Sequence, residues 1–275
     1  MNNLTNEERK LSIKKTVFTA LCISLLGLTA CSEQQVNEWA CGHEFGQTRC
    51  NNAIVDADKN KEYDKLKKYL EISANYGNPK MQAGLGAWYQ NDEHGEKDYQ
   101  KALYWFEKSA EQGNHHGQSG LARLYYQGLG VEKDYKKAFD LYKKSAEQGD
   151  MRAQYYVGYM YAKGKGVQQD YIKANEWFKK SANQNFVPAQ HNLGISYNNG
   201  WGVEKDYTLA FQWFEKAANQ EDASSLYAVA EMYEQGQGVE KNLTKAKEYY
   251  TQACKLEKQK VCENLDNFGK EISKI

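Results

Sequence analysis

The side chains that could do covalent or metal chemistry are few. The chain carries six cysteines and five histidines in 275 residues. The histidines are His43, His94, His115, His116 and His191, and no H-E-x-x-H or H-x-H gathers two of them as zinc hydrolysis would need. His115 and His116 are neighbours at the expected start of a helix, so their side chains should point to different sides and no metal site is expected. Serine acylation needs S-x-x-K to put a lysine beside the nucleophile. That motif occurs once, Ser12 to Lys15, and neither G-x-S-x-G nor K-T-G occurs. The glycine loops such as "GKGV" lack the spacing that cradles a phosphate. With no acid–base pair, no catalysis and no cofactor are expected.

Composition narrows the partners. Lysine plus arginine equals aspartate plus glutamate, 36 each, so no net charge draws the chain to nucleic acid. Two prolines against 21 tyrosines, with abundant alanine, lysine and glutamate, favour helices.

Residues 1–30 read as an address. "MNNLTNEERKLSIKK" ends on Lys14 and Lys15, and the apolar run "VFTALCISLLGL" has the length of a signal core rather than of a membrane span. "LTAC", Leu28 to Cys31, looks like a bacterial lipobox, which implies cleavage before Cys31 and acyl chains on it as a membrane anchor. By the same resemblance, Ser32 after the cysteine favours the outer membrane. The expected location is the bacterial envelope, lipid-anchored and facing the periplasm. The alternative is an ordinary secretory signal ending near a cysteine. Without Cys22 and Cys31, four cysteines remain: Cys41, Cys50, Cys254 and Cys262. An even count in an oxidising compartment points to disulfides.

The elements that position everything else repeat. "DYQKALYWFEKSAEQG", "DYKKAFDLYKKSAEQG", "DYIKANEWFKKSANQN" and "DYTLAFQWFEKAANQE" begin at Asp98, Asp134, Asp170 and Asp206, thirty-six residues apart each time. A weaker copy begins at Glu62 and another at Asn242. The second halves recur too: "AQYYVGYMYAKGKGV" and "AQHNLGISYNNGWGV". Tyr135, Ala138, Tyr142 and Ala146 form one helical stripe, and Ala153, Val157, Gly158 and Tyr161 another. Glycine breaks the chain between them. Pro79 and Pro188 fall at helix starts, where a missing N–H costs little.

The pattern A-x3-[LV]-[GA]-x2-Y, G-x-G-V, Asp-Tyr, Lys-Ala resembles the Sel-1-like repeat, a relative of the tetratricopeptide repeat. The resemblance implies an all-α fold, a right-handed α-solenoid superhelix of stacked helical hairpins, in which each hairpin needs its neighbours to bury its stripe. The expected organisation is a signal peptide over 1–30, a linker and cap over 31–61 and a degenerate half-repeat over 62–75. Five repeats follow over 76–257 (76–112, 113–148, 149–184, 185–220 and 221–257), then a C-terminal capping helix over 258–275. The first repeat carries "NDEHGEKD" in place of the glycine loop.

In register, Cys254 stands in the column of Ala110, Ala146, Ala182 and Ala218, and Cys262 in that of Gln118, Gln154, Gln190 and Leu226. On one helix, residues eight apart would be about 12 Å apart, beyond the roughly 7 Å a disulfide spans. Across a turn they can meet, for about 2–3 kcal/mol of stabilisation. The spacing also resembles the cysteine-rich secreted branch of the family. Two free buried thiols are the alternative. Cys41 and Cys50 are expected to clasp the other end.

The resemblance also implies a site: the first helix of each hairpin lines the concave groove. By register this brings Arg123 and Tyr126, then Arg152, Tyr155 and Tyr159, then His191 and Asn198, then Tyr227 and Glu231 onto one face. Those columns vary while the core columns recur, as ligand specification requires. The expected function is a non-catalytic envelope adaptor binding a protein or peptide. Two alternatives remain: an immunity protein against a periplasm-acting toxin, as some lipoproteins with these repeats resemble, and a peptidoglycan or carbohydrate binder. Trp105, Trp177 and Trp213 read as core, leaving Trp201 exposed in its glycine loop for a sugar. A β-lactamase-like hydrolase, which the cysteine-rich branch brings up, lacks its S-x-x-K once the signal is removed.

Overall fold

The structure, a computed structural model, describes residues 33–43, 47–92 and 97–256, and among them are thirteen helices and no strand. The leader, Cys31, His94, Cys262 and the helix expected over 258–275 lie outside the described residues. No described helix is long and apolar enough to cross a membrane. The chain divides into two compact units at Asp98. The first holds α1 (Glu33–Cys41), α2 (Gln47–Lys59), α3 (Tyr63–Asn75) and α4 (Pro79–Gln90). The second holds α5 (Tyr99–Glu111), α6 (His115–Gln127), α7 (Tyr135–Glu147), α8 (Met151–Lys163), α9 (Tyr171–Ala182), α10 (Val187–Asn199), α11 (Tyr207–Ala218), α12 (Ala223–Gln235) and α13 (Leu243–Leu256).

In the first unit a disulfide joins Cys41 to Cys50, with both residues fully buried and their Cα atoms 4.7 Å apart. It ties the end of α1 to the start of α2, and Lys68 Nζ, 2.8 Å from Glu38 Oε1, ties α3 to α1. Pro79 opens α4 directly after Asn78, whose side chain accepts from the N–H groups of Lys80 and Met81.

In the second unit the repeated Asp-Tyr pair is a helix start. Asp134, Asp170 and Asp206 cap α7, α9 and α11 by accepting from Lys137 N, Lys173 N and Leu209 N. Asn114, Asp150 and Asp222 cap α6, α8 and α12 in the same way. Phe186 caps α10 without a side-chain bond, and Pro188, second in that helix, removes one of the N–H groups a cap would serve. The stripes read from the sequence form the core and its border: Ala138, Tyr142, Ala146, Ala153, Val157 and Gly158 are buried, while Tyr135 and Tyr161 are half-buried against them.

Successive hairpins are stitched by buried glutamines. Gln154 donates to Ala146 O of the preceding repeat and accepts from Gln184 at the far end of its own at 2.9 Å; Gln190 does the same with Ala182 O and Gln220. Each buried amide is therefore satisfied at both ends, as burial requires. These bonds also show that residues eight apart across the turn touch, at 82 and 74, 154 and 146, and 190 and 182. Cys254 stands in the 74/146/182 column and is itself disulfide-bonded. Not every group is so provided for. Tyr142 Oη is buried with no hydrogen-bond partner, whereas Tyr250 in the same column donates to Glu234 Oε2 at 2.7 Å.

Trp177 and Trp213 depart from the core reading. Both are half-buried, and each ring lies 4.0 Å under a lysine ammonium one turn on, Lys180 and Lys216. They seal the edge of the core instead of filling it.

Candidate protein-binding face

The first helices of the hairpins, α6, α8, α10 and α12, carry the variable columns, and side chains link each helix to the next. The densest part joins α6 to α8. Lys165, between the two glycines of the loop after α8, donates from Nζ to Tyr126 Oη at 2.7 Å. The same ammonium lies 4.9, 5.2 and 5.7 Å from the ring centroids of Tyr126, Tyr135 and Tyr159. The bond to Tyr126 raises the lysine pKa, so it stays charged at any physiological pH. Arg152 is exposed at the N-terminal end of α8, the end away from Lys165, and Arg123 is half-buried on α6. The α6–α8 end of the face is therefore cationic and aromatic.

Tyr155 is half-buried, so it is shared between this face and the core below it. Its ring packs 5.8 Å from Phe178 and 5.4 Å from Phe186, and burial raises its pKa. Its hydroxyl shares a hydrogen bond with Asn192, the link from α8 to α10. Tyr155 orients the neighbouring Tyr159, with centroids 6.2 Å apart.

From α10 to α12 the link is His191. Its Nδ1 lies 2.8 Å from Ser225 Oγ and 3.6 Å from Asp222 Oδ2, and burial lowers its pKa against the pull of Asp222. Serine and aspartate meet the same ring nitrogen, so the imidazole cannot pass a proton from one to the other, and Ser225 is fully buried. This is a structural cluster and not a nucleophile. Asn198 is half-buried further along α10.

On α12, Tyr227 packs 5.2 Å from Tyr250 and hydrogen-bonds to Glu231. Burial raises the Glu231 pKa, Tyr227 opposes this, and the like charge of Glu234 adds to it. The α12 end is therefore acidic. Tyr227 and Glu231 are three repeats along from Tyr126 and two from Tyr159, so the expected residues form two clusters of opposite charge with His191 and Asn198 between.

Lys165 was not legible as a site residue, because its loop reads as turn punctuation. The signal available was its column, Leu129, Lys165, Trp201 and Gln237, which varies between invariant glycines. Trp201 in that column is 45% exposed and stacks on Tyr171 at 5.6 Å.

The histidine geometry also differs from expectation. His115 and His116 converge, their ring centroids 3.9 Å apart, and both turn Nδ1 toward Asp150 Oδ2 at 3.3 and 3.8 Å. The rotamers open to the first turn of a helix bring adjacent side chains together where simple angular spacing would part them.

Recurrent core columns with variable columns collected on the first helices define a class: an all-α helical repeat solenoid acting as a scaffold. The Sel1 repeat model matches residues 79–114, 115–150, 152–186, 187–222 and 223–257, and the chain belongs to the Sel1 repeat family. Each match opens at, or one residue inside, a first helix of a hairpin. The chain is similar to a protective antigen of uropathogenic Escherichia coli strains with an SLR fold, at 28% identity and a TM-score of 0.73. That match covers 82% of this chain and 49% of the other, so this chain spans about half the length of that relative. It is also similar to a Sel1 repeat protein from Oxalobacter formigenes, at 28% identity and a TM-score of 0.69, covering 75% of this chain and 82% of that one. No curated protein matches the chain.

Proposed function

We propose that this protein is a non-catalytic adaptor that holds a protein or peptide along α6, α8, α10 and α12, while anchored to the bacterial envelope through lipid on Cys31 and facing the periplasm. One observation carries the binding reading. The columns that vary between repeats put a cationic aromatic cluster (Lys165, Tyr126, Tyr159) at the α6–α8 end, with Arg152 exposed at the start of α8, and an acidic pair (Glu231, Glu234) at the α12 end. Such a face favours an extended segment with acidic residues at one end and basic residues at the other, held by complementarity that sets its direction. Export is supported by the cysteines, since a buried disulfide and a bonded Cys254 suit an oxidising compartment. In this reading Cys262 pairs with Cys254 across the last turn, as residues 154 and 146 touch across theirs.

The test is capture of partners from envelope extract by the full chain, beside an Arg152→Glu/Lys165→Glu variant and a Lys179→Glu control on the second helix of its hairpin. We expect a protein retained by the native chain and the control and weakened roughly tenfold or more by the charge reversal, the loss of two favourable charge contacts. Equal recovery by all three forms would remove the site from this face. A captured toxin would specify an immunity role, and retention of a glycan alone would transfer the function to the Trp201–Tyr171 pair. Fractionation of a Cys31→Ser variant tests the anchor: it should leave the membrane fraction, and continued membrane association would refute lipidation there.

A further inference from the structure

We infer that His115, His116 and Asp150 form a binding site for a divalent transition-metal ion of the zinc type, at the junction of α6 and α8. The donor atoms of the three side chains lie within 4.8 Å of one another. Both Nδ1 atoms face the same oxygen, Asp150 Oδ2, at 3.3 and 3.8 Å. Bonds of about 2.0–2.1 Å around a tetrahedral zinc set its ligand atoms roughly 3.3 Å apart. Small side-chain rotations close the remaining gap, and His115 and His116 are exposed enough to make them, at 35% and 55%.

The carboxylate is held in place for this role. Asp150 Oδ1 accepts from Ala153 N at 2.8 Å as the cap of α8, which leaves Oδ2 turned to the imidazoles, and the side chain is only 11% exposed. The two ends of one carboxylate thus serve a helix and a prospective ion. Two imidazoles and one carboxylate suit zinc, copper or nickel, whereas magnesium and calcium call for oxygen throughout.

The repeat itself does not demand this cluster. In register, Asp150 corresponds to Asn114, Phe186 and Asp222, and the histidine pair to Met151–Arg152, Val187–Pro188 and Ala223–Ser224. The other junctions of the second unit are built without imidazoles at these positions. The N-termini of α6 and α8 both present their positive ends here, which the charge of Asp150 offsets for a bound cation. Three protein ligands leave a fourth position open, as in zinc sites that exchange water for another donor. Metal binding stands whether or not the partner-binding reading does.

The experiment is a titration of the full chain, stripped with chelator, with zinc sulfate in competition with a chromophoric chelator. It is run beside His116→Ala, Asp150→Asn and a His43→Ala control, each checked for helix content by circular dichroism. Asparagine keeps a cap acceptor for Ala153 N and removes the charge at Oδ2. The native chain and the control should take up one zinc saturably. The other two variants should bind roughly tenfold or more weakly, since even removing an outer hydrogen-bond partner of a metal ligand costs that much. No saturable uptake by the native chain, or equal uptake by folded His116→Ala and Asp150→Asn, would overturn the site.

Discussion

Gly166→Ala is expected to lower the stability of the second unit by about 3 kcal/mol or more, while Gly164→Ala two residues earlier costs only about 1–2 kcal/mol. Both glycines sit in the left-handed region, with φ of +64° at Gly164 and +70° at Gly166. A side chain pays for that conformation at either position. The difference lies in what the added carbon meets. At Gly164 the nearest atom would be Gln169 Cβ at 3.5 Å, an ordinary contact. At Gly166 it would overlap the carbonyl carbon and oxygen of Tyr135, backbone atoms at the capped start of α7 that cannot swing aside. The loop would have to lift off the preceding hairpin. The same seat recurs thirty-one residues apart at Gly202 on Tyr171 and at Gly238 on Tyr207, so the second glycine of each loop is an inter-repeat contact. Urea titration followed by circular dichroism measures both variants, and equal midpoint shifts for the pair would refute the packing account.

Phe178→Ala should cost about 3–5 kcal/mol by cavity formation, and Gly158→Ala about 1–3 kcal/mol by overpacking. The double variant should cost clearly less than their sum. Phe178 is 3% exposed, and a Cβ on Gly158 would lie 2.7 Å from its Cδ1. Removing the ring makes room for that carbon, so the two changes couple. Relief is partial, because Ala174 O would still lie 3.0 Å away. The pairing has a pattern across the repeats: Gly158 and Gly194 face Phe178 and Phe214, while the matching positions Ala122 and Ala230 go with Tyr142 and Tyr250. Strict additivity in a double-mutant cycle would show that ring and glycine do not share the space. Because Tyr155 packs on Phe178, truncation at Tyr155 would disturb this same contact. Binding tests therefore belong on Arg152 and Lys165, whose changes leave the core intact.

The sequence by itself determined the thirty-six-residue period, the helical hairpins, the caps and the core columns. These are local or nearest-neighbour requirements that every repeat restates: Asp at a helix start, glycine where φ is positive, alanine where helices close up. Repetition averages away the ambiguity of any single copy. Only the tertiary structure decided what the variable columns do. It packed Tyr155 against Phe178, set Lys165 against three tyrosine rings, moved Trp177 and Trp213 to the edge of the core, and turned His115 and His116 onto one carboxylate. Those outcomes depend on side-chain rotamers and on contacts between residues up to 39 positions apart. No period encodes the Lys165 or the histidine contacts, because the columns of Lys165, His115 and His116 hold a different residue in each of these repeats.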